Sequence, residues 1–141
     1  MIIDIDKGLF LQMLQTVGQI VPIKPVIPSL AGIFLQADNN QVRLTSNNLE
    51  LSISIVGEAI ISEPGETLIP ARILTEAVRR SPAERVVLRQ PAGRSAVSFQ
   101  SGSVHMEILT LPVEEFPELP QFSLRQTYTL PQPLFKDMLR Q

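Results

Sequence analysis

Residues 5–15 read Ile-Asp-Lys-Gly-Leu-Phe-Leu-Gln-Met-Leu-Gln, and residues 130–140 repeat the pattern without a gap as Leu-Pro-Gln-Pro-Leu-Phe-Lys-Asp-Met-Leu-Arg. In both copies the apolar residues fall at positions i, i+1, i+4 and i+5, which places them on one side of a helix. They are Leu9, Phe10, Met13 and Leu14 in the first copy and Leu134, Phe135, Met138 and Leu139 in the second. The offset of 125 residues predicts tandem domains of about 120 residues, a common domain size.

This repeat also predicts how the chain divides. We expect residues 1–120 to form one complete domain and residues 121–141 to begin a second one, with a strand and part of a helix. The second copy of the helix reaches only as far as Gln141, before the elements that would cover its apolar side. We therefore interpret the chain as a truncated piece of a longer protein.

Between the two copies, the first domain divides into two halves with the same order of elements. Apolar alternation and helical periodicity predict a strand, a helix and three strands in each half. In the first half these are residues 2–5, the helix 7–20, and strands 32–37, 41–46 and 49–60; in the second they are 66–69, the helix 71–80, and strands 85–89, 95–100 and 104–109. Asparagine pairs and glycines supply the turns between strands. The pattern predicts an α+β fold of two β-α-β-β-β halves, with two helices side by side on antiparallel sheets.

Composition narrows the class of protein. The 141 residues are 44% hydrophobic and 18% charged, which is typical of a folded globular chain. No apolar run approaches the roughly 20 residues that span a bilayer, and the start lacks a basic signal-peptide region, so we expect a cytoplasmic protein with no membrane contact. With no cysteine and a single histidine, His105, thiolate and histidine-rich metal sites are excluded. We expect neither a metal nor a cofactor.

The second predicted helix separates polar from apolar residues. Its polar side carries Arg72, Thr75, Glu76, Arg79 and Arg80. Lysine and arginine contacts to phosphate are independent of base sequence. Three arginines on one helix face therefore suit binding to a duplex without sequence specificity. An ordinary solvated helix has the same pattern, and this alternative stays open.

The first helix and the loop after it extend this polar surface. The helix places Gln12, Gln15, Thr16 and Gln19 on its polar side. Lys7 lies at its start, and Lys24 is the one charge in a loop stiffened by three prolines. Apart from Glu76, the acidic residues fall in strands and loops, so positive charge gathers on the predicted helix pair even though the formal net charge of the chain is -2.

Four motifs carry a family resemblance. They are Thr-Leu-Pro-Val-Glu-Glu-Phe-Pro-Glu-Leu-Pro at 110–120, Ile-Pro-Ala-Arg-Ile-Leu at 69–74, Lys-Pro-Val-Ile-Pro at 24–28 and Leu-Thr-Ser-Asn-Asn-Leu-Glu at 44–50. Through them, and over its whole length, the chain resembles the β subunit of bacterial DNA polymerase III, the sliding clamp or processivity factor. The resemblance implies a DNA clamp fold: a homodimer ring with three similar domains in each subunit, whose helices line a channel for double-stranded DNA.

The resemblance also implies site residues and partners. By position, Lys24, Arg72 and Arg79 match residues that contact DNA, and we add their neighbours Arg80 and Lys7. The strand at 104–109 matches the edge where two subunits meet, with Ile73, Met106 and Ile108 as its apolar contacts. That Met106 and Ile108 are core residues stays an alternative. The implied partners of the full-length protein are double-stranded DNA, the replicative DNA polymerase, the clamp loader and a second subunit.

Catalysis finds little support in the sequence. His105 has no serine or cysteine partner at motif spacing, and no glycine-rich phosphate loop is present. Asp4 with Asp6, and Glu114 with Glu115, do not form a convincing acid/base pair. We therefore expect a protein that is not an enzyme. An α+β module that binds another protein through its helix face, with no role on DNA, is the alternative function.

Overall fold

A computed structural model describes residues 1–119 and 126–141. In chain order the strands and helices are β1 (Ile2–Asp6), α1 (Lys7–Gly18), β2 (Gly32–Asp38), β3 (Gln41–Asn47), β4 (Ser52–Glu58), β5 (Ile60–Glu63), β6 (Gly65–Pro70), α2 (Ala71–Arg79), β7 (Arg85–Arg89), β8 (Ala96–Ser101), β9 (Val104–Leu109) and α3 (Gln132–Leu139). Two short 3₁₀ helices lie at Pro28–Ala31 and Val113–Glu115. The predicted α+β class is confirmed, and each half has its opening strand, its helix and the strands that follow.

The two halves are joined by an exchange of their opening strands. One sheet has the order β5-β1-β7-β8-β9 and the other β4-β3-β2-β6, with every pair antiparallel. β1, from the first half, pairs with β7 of the second, with Ile3 opposite Leu88. β6, from the second half, pairs with β2 of the first, with Leu68 opposite Phe34. Neither sheet is therefore complete without a strand from the other half.

The single strand predicted at 49–60 is wrong in part, because the chain changes sheets within it. β4 pairs with β3, whereas β5 pairs with β1 in the other sheet. The break falls at Ala59, which is buried and whose N–H donates to the carbonyl oxygen of Asn40 at 3.1 Å. Residues on both sides keep alternating, so periodicity does not mark this transfer.

The core lies between the helices and the two sheets. α1 contributes Phe10, Met13, Leu14 and Val17, and α2 contributes Leu74, Ala77 and Val78. The side chain of Asp6 caps α1 by accepting the N–H of Leu9 at 2.8 Å, which satisfies one of the free donors of the first turn. α1 also packs closely on β4, since a Cβ added to Gly57 would lie 2.5 Å from the sulfur of Met13. The apolar side of each helix is thus fixed against strands, and the polar side faces outward.

The segment at 126–141 contains the second copy of the apolar helix pattern, here α3. Leu134, Phe135, Met138 and Leu139 are all exposed on it. The strand predicted to open a second domain falls partly on residues 120–125, which lie outside the described residues, as does the predicted boundary at 120/121; residues 126–131 form no strand. Of the helices in the described ranges, none combines the length and apolar content needed to cross a membrane.

Candidate nucleic-acid interface

The two helices α1 and α2 lie side by side and contact each other. Between them runs an open groove of about 720 Å³, which residues of the loop after α1 also line. Its polar lining comes from Gln15 on α1, from Gln19 just after α1, and from Arg72, Thr75, Glu76 and Arg79 on α2. We call the groove and the exposed loop residue Lys24 the helix-pair face. Long amide and guanidinium side chains on one open surface suit a polyanion that lies across both helices.

Charge is distributed unevenly between this face and the rest of the chain. Residues 7–28 and 71–80, which contain both helices and the loop, hold five of the twelve basic residues but only one of the fourteen acidic ones. The remaining residues are therefore strongly acidic, which accounts for the net charge of -2. A local positive potential on an acidic chain directs a polyanion to one side of the molecule.

The four cations predicted on α2 and the loop differ in their contacts. Within the described residues, Arg72 and Lys24 form no ion pair and are exposed. Arg79 and Arg80 instead share the carboxylate of Glu76, with Arg79 on Oε1 and the Nε of Arg80 at 3.4 Å from Oε2. Two of the four cations thus have no acidic partner among the described residues, while the other two share a single carboxylate and keep a net positive charge between them. The two without an acidic partner are on or beside the groove.

Lys7 lies at a different place from the other basic residues. Its Nζ donates to the carbonyl oxygen of Ser81 at 2.6 Å, and its backbone N–H donates to the carbonyl oxygen of Glu84 at 2.8 Å. Both acceptors belong to the turn that follows α2. The half-buried Lys7 side chain thus links the start of α1 to the turn at the end of α2 through a hydrogen bond from its ammonium group. Lys7 therefore has a structural contact of its own, and its contact with DNA stays a prediction.

Replacing Lys7 with methionine is expected to lower the free energy of unfolding by about 1 kcal/mol, because a charge-assisted hydrogen bond between the two helices is lost. Urea denaturation followed by circular dichroism measures this. Lys24→Met is the matched control, since the exposed Lys24 side chain makes no hydrogen bond or ion pair within the described residues, and it should change stability by less than about 0.5 kcal/mol. Equal effects of the two substitutions would show that the bond contributes nothing.

The predicted subunit contacts lie around β9, which is an edge strand of its sheet. Ile73 is 53% exposed and Met106 is 37% exposed, and both line a shallow pocket of about 380 Å³ between α2 and β9. Ile108 is only 2% exposed and belongs to the core, which is the alternative that was left open for it. Leu109, at 75% exposed, is a further exposed apolar residue of β9 that the prediction did not name. Strand alternation places it on the other face of β9 from Met106 and Ile108, and this pattern could have found it.

Residues of the kinds used in catalysis and metal binding are dispersed. His105 is exposed on β9. In the parts of the chain that the structure describes, no three residues of the types His, Cys, Asp and Glu come together in a way that could hold a metal ion. Asp4 is engaged by Arg85, whose Nε donates to its carboxylate at 2.7 Å. Most of the predicted site residues lie instead on the helix-pair face and at the β9 edge.

Comparison with known proteins gives a consistent result. The family described as DNA polymerase III beta subunit, N-terminal domain, matches residues 1–120. The Beta sliding clamp of Streptomyces coelicolor is 32% identical over 139 residues, which cover 99% of this chain and 36% of the relative. The solved sliding clamp of Bacillus subtilis has a TM-score of 0.93 at 26% identity. The match covers 100% of this chain and 39% of the Bacillus subtilis chain.

A second solved clamp, from Bartonella birtlesii, has a TM-score of 0.77 at 30% identity, with 84% of this chain and 34% of that chain covered. The fold of the chain is therefore that of the sliding clamps. The chain spans little more than a third of the length of these relatives.

Proposed function

The chain belongs to the family of the DNA polymerase III beta subunit, N-terminal domain, and we propose that it acts as one domain of a ring-shaped processivity factor that encircles duplex DNA and slides on it. In this role the helix-pair face lines the channel of the ring. It holds the phosphate backbone by charge and by hydrogen bonds, and it does not read bases. The domain itself catalyses no reaction.

The observation that carries the proposal is the pair of uncompensated cations on the helix-pair face. Arg72 lines the groove together with Gln15, Gln19 and Glu76, and Lys24 is exposed in the loop whose Pro22 and Ile23 also line it. Phosphate contacts made by such groups do not depend on sequence, which is what movement along any duplex requires. Arg79 and Arg80 join them when phosphate displaces the carboxylate of Glu76.

The β9 edge fits the contact with a second subunit in the full-length ring. An edge strand offers unpaired N–H and C=O groups to a strand of another chain, and such an edge is otherwise a site of uncontrolled association. Ile73 and Met106 would add apolar contact beside it. The other partners we propose for the full-length protein are the replicative DNA polymerase and the clamp loader, and we place their action in the cytoplasm.

A nuclear magnetic resonance titration of the ¹⁵N-labelled 15.6 kDa chain with a short DNA duplex at low salt tests the proposal. We expect shifts concentrated on Gln15, Gln19, Lys24 and Arg72, the same for duplexes of different sequence and weaker as salt rises. Shifts confined to another surface, or none at millimolar duplex, would overturn the proposal. Shifts with polyglutamate but not with DNA would instead favour a protein-interaction module.

A further inference from the structure

Glu76 lies at a particular point of α2. It is one helical turn from three arginines, because Arg72 precedes it by four residues and Arg79 and Arg80 follow it by three and four. Side chains at these spacings are neighbours on a helix surface. Glu76 also lines both the groove of the helix-pair face and the shallow pocket beside β9. It therefore stands on the ridge between the two surfaces to which function was assigned.

Both oxygens of this carboxylate are occupied. Oε1 accepts from Arg79, and Oε2 lies 3.4 Å from the Nε of Arg80. Glu76 is the one acidic residue in residues 7–28 and 71–80. A carboxylate in this position has two effects on a phosphate backbone: it holds two guanidinium groups on their own helix, and its own charge repels the phosphates.

We propose that Glu76 is a positioning residue that restrains Arg79 and Arg80 and thereby limits how tightly the helix-pair face holds DNA. The inference rests on the proposed function and adds to it the residue that sets the strength of the contact. Exposed ion pairs within a helix are weak, so a phosphate that arrives at the right place can displace the carboxylate. Breaking the ion pair requires free energy each time, however, and this keeps the number of lasting phosphate contacts low.

A low number of lasting contacts matters for a protein that must move along DNA. Every phosphate neutralised by an arginine releases counterions, and the logarithm of the affinity then falls with the logarithm of salt concentration by about 0.9 for each contact. The slope of this dependence therefore counts contacts, which a change in stability or folding would not alter. It is the readout that separates a positioning role from a purely structural one.

The test compares Glu76→Gln with Glu58→Gln in the 141-residue chain, using the duplex titration at several salt concentrations. Both changes remove one negative charge, but Glu58 lies exposed on β4 and forms no ion pair within the described residues. We expect Glu76→Gln to raise duplex affinity about fivefold at low salt, the factor for one pair of unit charges at contact distance in water. We also expect its salt slope to steepen by about one to two. Glu58→Gln should change affinity less than about twofold and leave the slope unchanged.

A second comparison isolates the arginines. In a background of Arg79→Gln with Arg80→Gln, Glu76→Gln should no longer steepen the slope, because no restrained guanidinium remains to be released. An equal steepening in that background would overturn the inference, as would identical behaviour of Glu76→Gln and Glu58→Gln. If the unaltered chain shows no duplex-dependent shifts at the lowest salt, the proposed function fails and the role of Glu76 fails with it. If it does show them, failure of the Glu76 variant alone refutes only this inference.

Discussion

Phe10→Ala is expected to lower the free energy of unfolding by about 3–5 kcal/mol, the range for removing a large aromatic side chain from a closed core. Phe10 is 0% exposed and lies on the side of α1 that faces the sheets, so truncation leaves a cavity in the centre of the core cluster. Domains of this size are stable by about 5–15 kcal/mol in total. Urea denaturation monitored by circular dichroism should therefore show a large fall in midpoint, or loss of the folded state at 37 °C.

The repeat supplies a matched control for this change. Phe135 occupies the equivalent position in the second copy of the helix pattern and is 47% exposed on α3. Phe135→Ala should change the free energy of unfolding by less than about 0.5 kcal/mol, as expected for surface positions. If both substitutions destabilised the chain equally, α3 would have to pack on the first domain in solution, contrary to its exposed position here.

Arg72→Glu is expected to lower the affinity of the chain for duplex DNA at least about tenfold at low salt. The change removes an unpaired cation from the groove and puts a second carboxylate one turn before Glu76, so attraction is replaced by repulsion of the phosphates. The duplex titration measures the loss. Because Arg72 is exposed and forms no hydrogen bond within the described residues, the thermal midpoint should stay within a few degrees.

Arg94→Glu is the control for net charge. Arg94 is exposed in the turn between β7 and β8, outside the helix-pair face. When both variants are compared at about 0.1 M salt, where the Debye length is about 10 Å, the same change in total charge there should lower duplex affinity less than about threefold, since charges separated by more than a Debye length are largely screened. Equal losses for the two variants would mean that overall charge, and not the helix-pair face, governs the association.

Much of the fold follows from local patterns along the chain. The turns predicted from asparagines and glycines are present at 39–40 and 102–103, where Asn39, Asn40 and Gly102 have positive φ angles of 48°, 58° and 56° that suit these residue types. The starts of both helices, predicted at residues 7 and 71, are also confirmed, and in the structure the side chain of Asp6 caps the first of them. Signals of this kind are carried by a few neighbouring residues, so a single sequence contains them.

Pairing between distant strands could not be predicted in the same way. The exchange of β1 and β6 between the halves depends on which strand edges meet after the helices have packed, and no local residue marks it. Ala59 illustrates the difficulty, since its neighbours alternate as in one continuous strand although the chain passes from one sheet to the other there. Alternation reports which face a residue is on, and it does not report which strand lies beside it.

For the candidate site, the exposed positions of the arginines were predicted, whereas the contacts of individual side chains were not. Helical periodicity placed Arg72 and Arg79 on an exposed face, and this is where they lie. The pairing of Glu76 with two arginines was missed, although its spacing of three and four residues is visible in the sequence. The bond of Lys7 to Ser81 joins residues 74 positions apart, and the burial of Ile108 depends on how deeply one end of β9 enters the core. Neither leaves a local signal.

The exchange of opening strands has a consequence for synthesis on the ribosome. β2, β3, β4 and β6 are all present once residue 70 has emerged, so one sheet can close early. β1 is made before the other strands of its sheet, yet its neighbour β7 ends only at Arg89. Until then β1 has β5 alone as a partner within that sheet, in a two-stranded ribbon of the kind that is marginally stable in water.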